Sequence, residues 1–256
     1  PDTLKIRAYV EQNKPKSAAV IGGGYIGMEM AENLKHAGLD VTVVEMAEHI
    51  IAPLDSDMAS LVQHYTRENG IRLILKNGVQ AFIPTESHIE VQLSHGTLNA
   101  DLVLMSVGLK PETSMAQKAG ISCNARGAIL VDEHMRTSIP DIYAVGDAVA
   151  VTNFVTKQEA YIPLAGPANK QGRIAADHIY GRNVSFKGTQ GTSVLKLFDM
   201  TVATTGIHEL QAKQSNLDYD TIITYSPSHA TYYPNAKNMM IKTIFEKQSG
   251  KIVGAQ

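Results

Sequence analysis

The run Gly22-Gly23-Gly24-Tyr25-Ile26-Gly27 constrains this chain more than any other feature. Before it lies Ala18-Ala19-Val20-Ile21, a short apolar segment suited to a strand buried on both faces. After it, Ile26, Met30, Leu34 and Ala37 recur at helical spacing, with Gly38 placed to end the helix. Val41-Thr42-Val43-Val44 reads as a second strand, and Glu45 stands at its end. Residues 18–45 therefore form one βαβ unit in which each glycine has its own task. Gly22 permits a tight turn, Gly24 lets backbone approach a pyrophosphate, and Gly27 lets helix and strand pack closely.

A pyrophosphate in that loop meets the free N–H groups at the positive end of the helix. The Glu45 carboxylate is placed to accept the ribose 2′-hydroxyl. Met46 and Ala47 follow where a 2′-phosphate would need an arginine, so NAD(H) is favoured over NADP(H). On that assignment Glu45→Ala weakens NADH binding and leaves NADPH little changed. A glycine-rich turn that binds nothing is the competing reading; strand, helix and terminal acid in one place outweigh it.

Composition sets the class. The chain has 256 residues, room for about two domains. It is 44% apolar and 19% charged, which excludes disorder, collagen and coiled coil. A net charge of −2 argues against a nucleic-acid partner. The uncharged stretch 18–28 is too short and glycine-rich to span a bilayer, and no signal sequence opens the chain. Cys123 stands alone, which excludes an internal disulfide framework and a cysteine metal site, and fits a reducing, cytoplasmic compartment. No cluster has metal-ligand spacing. The start at Pro1 rather than Met points to a piece of something longer.

Further along, a helix is expected over 55–69, with Asp55 as N-cap and Met58, Leu61, Val62 and Tyr65 on one face. Alternating segments follow at 71–75, 79–83 and 89–93, then a turn at Ser94-His95-Gly96 and a strongly buried strand over 102–107. Residues 112–138 are loop-rich, a helix is expected over 167–180, and the chain becomes β-rich from Gly191. Asp141-Ile142-Tyr143-Ala144-Val145-Gly146-Asp147-Ala148 reads as a short buried strand over 142–145 ending in Gly-Asp. Gly146 allows close approach, and Asp147 either accepts hydrogen bonds from a polyol or caps the next helix.

The glycine run, the strand ending at Gly108 with Pro111 beyond it, and the Gly146-Asp147 segment resemble, in this order, the two-dinucleotide flavoprotein disulfide reductases. The resemblance implies an α/β chain using FAD and NAD: a Rossmann-like NAD(H)-binding domain over 1–108, the second half of an FAD-binding domain over 109–188, and a partial α+β dimerisation domain over 189–256. It joins Gly22, Gly23, Gly24, Tyr25, Ile26, Gly27, Glu29, Glu45 and Gly108 in the NAD site. Tyr25 would lid the nicotinamide pocket and Glu29 lie near the carboxamide, unless Glu29 is a plain helix-surface acid. Gly146 and Asp147 would serve FAD, with Asp147 on the ribityl chain.

The segment from Ile162 to Arg173 resembles the part of the NADH oxidase, NADH peroxidase and coenzyme A-disulfide reductase branch that meets the flavin ring. That gives Pro163, Leu164 and Ala165 to FAD, with Pro167 suited to the first helical position. Asn169 and Arg173 either face a coenzyme A substrate or stand in solvent. Tyr232 and Tyr233 either approach a partner subunit's redox cysteine or pack at a dimer interface. A complete member would carry an earlier glycine motif for FAD and a redox cysteine; Cys123 is far from that position and suits packing.

The implied activity is hydride transfer from NADH to FAD and on to a thiol-based acceptor, a coenzyme A disulfide or persulfide. The alternatives are an NADH oxidase or peroxidase acting on oxygen or peroxide, or, for this chain alone, an NAD-binding module without turnover. The implied partners are a small disulfide or persulfide substrate and a second copy of the full-length protein, with no nucleic acid and no membrane.

Overall fold

The computed structural model describes residues 2–256. Helix α1 (Asp2–Asn13) leads into β1 (Ser17–Ile21), α2 (Tyr25–His36), β2 (Asp40–Val44), α3 (Ser56–Glu68) and β3 (Arg72–Ile74). An antiparallel meander follows, β4 (Val79–Pro84), β5 (Ile89–Leu93) and β6 (Thr97–Ala100), and then β7 (Leu102–Met105). β1, β2, β3 and β7 form one parallel sheet in the order β3-β2-β1-β7, with Val20 paired to Val43 on one side and Leu104 on the other. A central parallel strand is covered on both faces, which is why Ala18, Ala19 and Val20 are apolar and buried. The meander closes one face: Val91, Leu93 and Ala100 pack with Ala19, Ile21 and Val44.

Three expectations need correction in this unit. Helix α2 buries Gly27, Met28, Ala31 and Leu34, while Ile26 is exposed and Met30 half-buried. The glycine sets the rotation. A Cβ at residue 27 would lie 1.9 Å from the Gly22 carbonyl oxygen, so Gly27 alone lets this face approach the loop. In α3 the buried residues are Met58, Ala59, Val62 and Thr66, and Leu61 is exposed. The strand expected over 102–107 is shorter and less covered, with Met105 and Val107 exposed, because β7 lies at the sheet edge.

The chain divides into two compact units, one running to Gly108 and including Val194–Val202, the other comprising Leu109–Ser193 and Ala203–Gln256. In the first, Phe198 packs edge-on against Tyr65 and His36, and the Asp199 N–H donates to the Tyr65 hydroxyl at 3.1 Å. Beyond Gly108 come α4 (Ser114–Lys118), a 3₁₀ turn at Gly146–Ala148, β8 (Val151–Thr152), β9 (Glu159–Ala160) and α5 (Ala165–Ile179). Then follow β10 (Ser193–Leu197), β11 (Met200–Gly206), α6 (Glu209–Gln214), β12 (Tyr219–Pro227), β13 (Asn238–Glu246) and β14 (Ile252–Ala255). These last five strands make one sheet in the order β10-β11-β14-β13-β12. Its Lys242 is 1% exposed and pairs with Glu209, which also accepts from the Tyr219 hydroxyl at 2.8 Å.

The strand expected over 142–145 does not form. Asp141 has φ +61°, Tyr143 makes one isolated bridge to Arg136, and Ile142 and Val145 are exposed. A strand's backbone groups need ladder partners, and here they are few: the short stretch 135–137 lies alongside, with the Thr137 N–H donating to the Ile142 carbonyl at 2.9 Å and the Ala144 N–H to that of Met135 at 3.1 Å. Pro167 is the third helical residue of α5, with Leu164 as N-cap. Proline is tolerated there because the first four helical N–H groups have no partner within the helix. Among the described residues no helix is long and apolar enough to cross a membrane.

Candidate functional site

The glycine loop leaves β1 at Gly22, whose φ of +103° no residue with a side chain adopts easily. A Cβ there would lie 2.4 Å from the Ser106 carbonyl oxygen. Gly24 is the opposite case. It is the N-cap of α2 in extended backbone, and nothing lies within 4 Å of where its Cβ would be. The loop is thus packed against protein at Gly22 and Gly27 and open at Gly24, a cradle of the shape a dinucleotide pyrophosphate fills. The residues fit that cofactor.

Side chains at two strand ends hold the loop. Glu45, at the end of β2, accepts from the Gly23 N–H at 2.6 Å and from the Ala47 N–H at 2.8 Å. Ser106, at the end of β7, places its hydroxyl 2.9 Å from the Ile21 carbonyl and 3.0 Å from that of Gly22. Ile51, fully buried at φ +55°, donates its N–H to the Gly23 carbonyl at 2.8 Å. Ser106 and Ile51 belong to no motif; Ser106 is marked only by its place at the end of β7, and Ile51, in the segment between β2 and α3, by nothing local. Tyr25 is half-buried in the first turn of α2, Ile26 and Glu29 are exposed on it, and Gly108 lies in open backbone beyond β7 at φ +102°.

A second group assembles around the N-terminus of α5. Gly146 has φ +79°, and its N–H donates to Gln171 Oε1 at 2.7 Å. Gln171 is 1% exposed and falls between Pro167 and Ala175 on the buried face of α5. Asp147 is exposed beside Gly146. Burial pushes the Tyr161 phenol above its ordinary range, and the Asp147 carboxylate adds to that. Pro163 and Leu164 are half-buried and Ala165 exposed where α5 begins. An exposed carboxylate beside a helix N-terminus offers acceptors to hydroxyls and a positive end to anionic atoms, which fits the ribityl and ring portions of a flavin.

The remaining candidates are not drawn into either group. The Asn169 amide donates back to the Ala165 carbonyl at 2.9 Å, and Arg173 is exposed on α5. Tyr232 and Tyr233 lie against each other with ring centroids 4.8 Å apart, both exposed, between β12 and β13. Cys123 is half-buried against the cluster of Ile129, Met135 and Val149, a packing position.

The family model for pyridine nucleotide-disulphide oxidoreductases matches residues 5–173, and the model for their dimerisation domain matches 192–256. The chain belongs to the pyridine nucleotide-disulphide oxidoreductase family. An NADH oxidase from Methanocaldococcus jannaschii is 37% identical over 256 residues, covering 100% of this chain and 57% of that protein. The crystal structure of reduced CoADR-RHD from Bacillus anthracis superposes with a TM-score of 0.96 at 47% identity, covering 100% of this chain and 46% of the other. A NAD-dependent persulfide reductase from A. fulgidus gives 0.94 at 39% identity, covering 97% and 47%. The chain spans about half the length of these family members.

Proposed function

We propose that this chain belongs to an oxidoreductase that passes hydride from NADH to FAD and on to a coenzyme A disulfide or persulfide. One observation carries the reading: a glycine loop closed at Gly22 and Gly27, open at Gly24 and flanked by the Glu45 carboxylate. The persulfide reductase of A. fulgidus supports the acceptor class. The M. jannaschii relative, an NADH oxidase, favours the second reading, in which oxygen or peroxide takes the electrons.

When bound, the nicotinamide and flavin supply the redox chemistry. The chain's own residues bind and orient. In this reading Gly22, Gly23, Gly24, Ile26 and Gly27 receive the pyrophosphate and Glu45 the ribose, while Tyr25, Glu29 and Gly108 border the nicotinamide. Gly146, Asp147, Pro163, Leu164 and Ala165 hold the flavin's ribityl chain and ring. Asn169 and Arg173 face the substrate. Tyr232 and Tyr233 serve a redox cysteine of the partner subunit, within a homodimer built on residues 189–256. The divisions 1–108, 109–188 and 189–256 and a cytoplasmic location belong to the same proposal.

The test is NADH titration of the 256-residue chain alongside a turnover assay. Saturable NADH binding without retained flavin and without NADH-dependent disulfide reduction is the expected outcome. Absence of NADH binding refutes the reading of the loop; robust turnover with flavin absorbance refutes the reading of this chain as a binding module.

A further inference from the structure

Gly23 is gripped at both of its backbone polar groups by the segment that follows β2. Its N–H donates to Glu45 Oε2 at 2.6 Å, and its carbonyl accepts from the Ile51 N–H at 2.8 Å. Ile51 is a β-branched residue at φ +55°, a region such residues seldom occupy, and it is 1% exposed. Backbone held in that region persists only where its surroundings over-determine it, and such positions cluster at functional sites. Ile50, fully buried, lies beneath: a Cβ on residue 23 would stand 2.7 Å from Ile50 Cγ2 and 3.3 Å from Glu45 Oε2. The other oxygen of Glu45 accepts from Ala47, so two backbone donors orient the carboxylate in advance. A carboxylate has about four acceptor positions, which leaves room for ribose hydroxyls.

We propose that Glu45 is a positioning residue for the glycine loop as well as the acid facing the ribose. With the Ile51 N–H it clamps the backbone of Gly23 on both sides, and so holds the open edge at Gly24 in the shape that receives a pyrophosphate. The inference rests on reading the loop as a dinucleotide site. It alters the expectation for Glu45→Ala. Losing an acid that only faces the ribose weakens NADH and removes a repulsion from NADPH, whereas losing a clamp on the loop weakens NADH and NADPH alike, because both carry the pyrophosphate.

Glu45→Ala and Glu45→Gln in the 256-residue chain separate the two roles. Both remove the negative charge that repels a 2′-phosphate; only the glutamine keeps an oxygen for the Gly23 N–H. NADPH is expected to bind Glu45→Gln on the order of tenfold more tightly than Glu45→Ala, the scale of one hydrogen bond. Exchange of the Gly23 amide, followed by NMR on glycine-labelled protein, should stay slow in Glu45→Gln and quicken in Glu45→Ala. Should Glu45→Ala fail to fold, Gly23→Ala loosens the clamp with the charge in place and should weaken NADH and NADPH by the same factor. Equal NADPH affinity in the two Glu45 variants with an unchanged Gly23 amide overturns the clamp; so does a Gly23→Ala chain that binds both cofactors like the wild type. Wild-type chain that binds neither cofactor overturns the dinucleotide reading itself.

Discussion

Gly22→Ala and Gly24→Ala change the same atoms two residues apart, and the structure assigns them opposite effects. At Gly22 the new methyl meets two penalties. The φ of +103° is unfavourable to any residue with a side chain, a cost of about 1–3 kcal/mol. The Cβ would also stand 2.4 Å from the Ser106 carbonyl oxygen, where β7 is tied to β1, and such overpacking costs about 1–3 kcal/mol. Together they should lower stability by about 3 kcal/mol and the melting temperature of this unit by about 10 °C or more. At Gly24 the backbone is extended, with φ −74° and ψ −175°, and nothing lies within 4 Å of the new methyl. Stability there should change by less than about 0.5 kcal/mol, as for an ordinary surface substitution. The same methyl fills the space assigned to the pyrophosphate, so NADH affinity should fall by roughly tenfold or more. Thermal melts and NADH titrations on both variants give the four numbers. A Gly24→Ala chain that binds NADH like the wild type, or a Gly22→Ala chain that melts like it, refutes the division of labour among these glycines.

Gln171→Leu leaves the Gly146 N–H without its acceptor, which should cost about 1–3 kcal/mol by urea titration and weaken flavin retention in the full-length protein. Lys242 holds the Glu209 carboxyl below its usual range, with the Tyr219 hydroxyl helping and burial opposing. A carboxyl depressed by folding stabilises the fold above its unfolded pKa of about 4.3 and gives that up as pH falls through the folded value. The melting temperature should therefore drop below about pH 4.5, and Lys242→Met should flatten that drop while costing about 1–2 kcal/mol at pH 7; an unaltered acid limb in the variant would deny the pair this role.

The features legible in the sequence were those written locally. The glycine loop, β1, β2 and the β-rich region from Gly191 each depend on neighbours within a few residues, through turn chemistry or alternation. The rotation of α2 was not local. Ile26 and Met30 form as regular a stripe as Met28, Ala31 and Leu34, and the choice is made by a carbonyl of Gly22 that tolerates only hydrogen at residue 27. Ser106 and Gln171 were silent for a related reason. Each binds backbone 84 or 25 residues away, and a backbone partner leaves no mark on the sequence.

The two candidate regions differ in how far they are prepared without a ligand, and hydrogen bonding explains why. At Gly23 both backbone polar groups of the residue are met by the chain itself, through Glu45 and Ile51. Around Gly146 the N–H is met by Gln171, yet Asp147 stays exposed and the apolar residues Ile142 and Val145 beside it lack the cover that a strand in a doubly wound sheet receives. Binding to a prepared loop carries a small ordering cost, whereas binding at the Gly146 turn must also order its surroundings. Tight NADH binding by this chain together with weak flavin binding is what that difference demands.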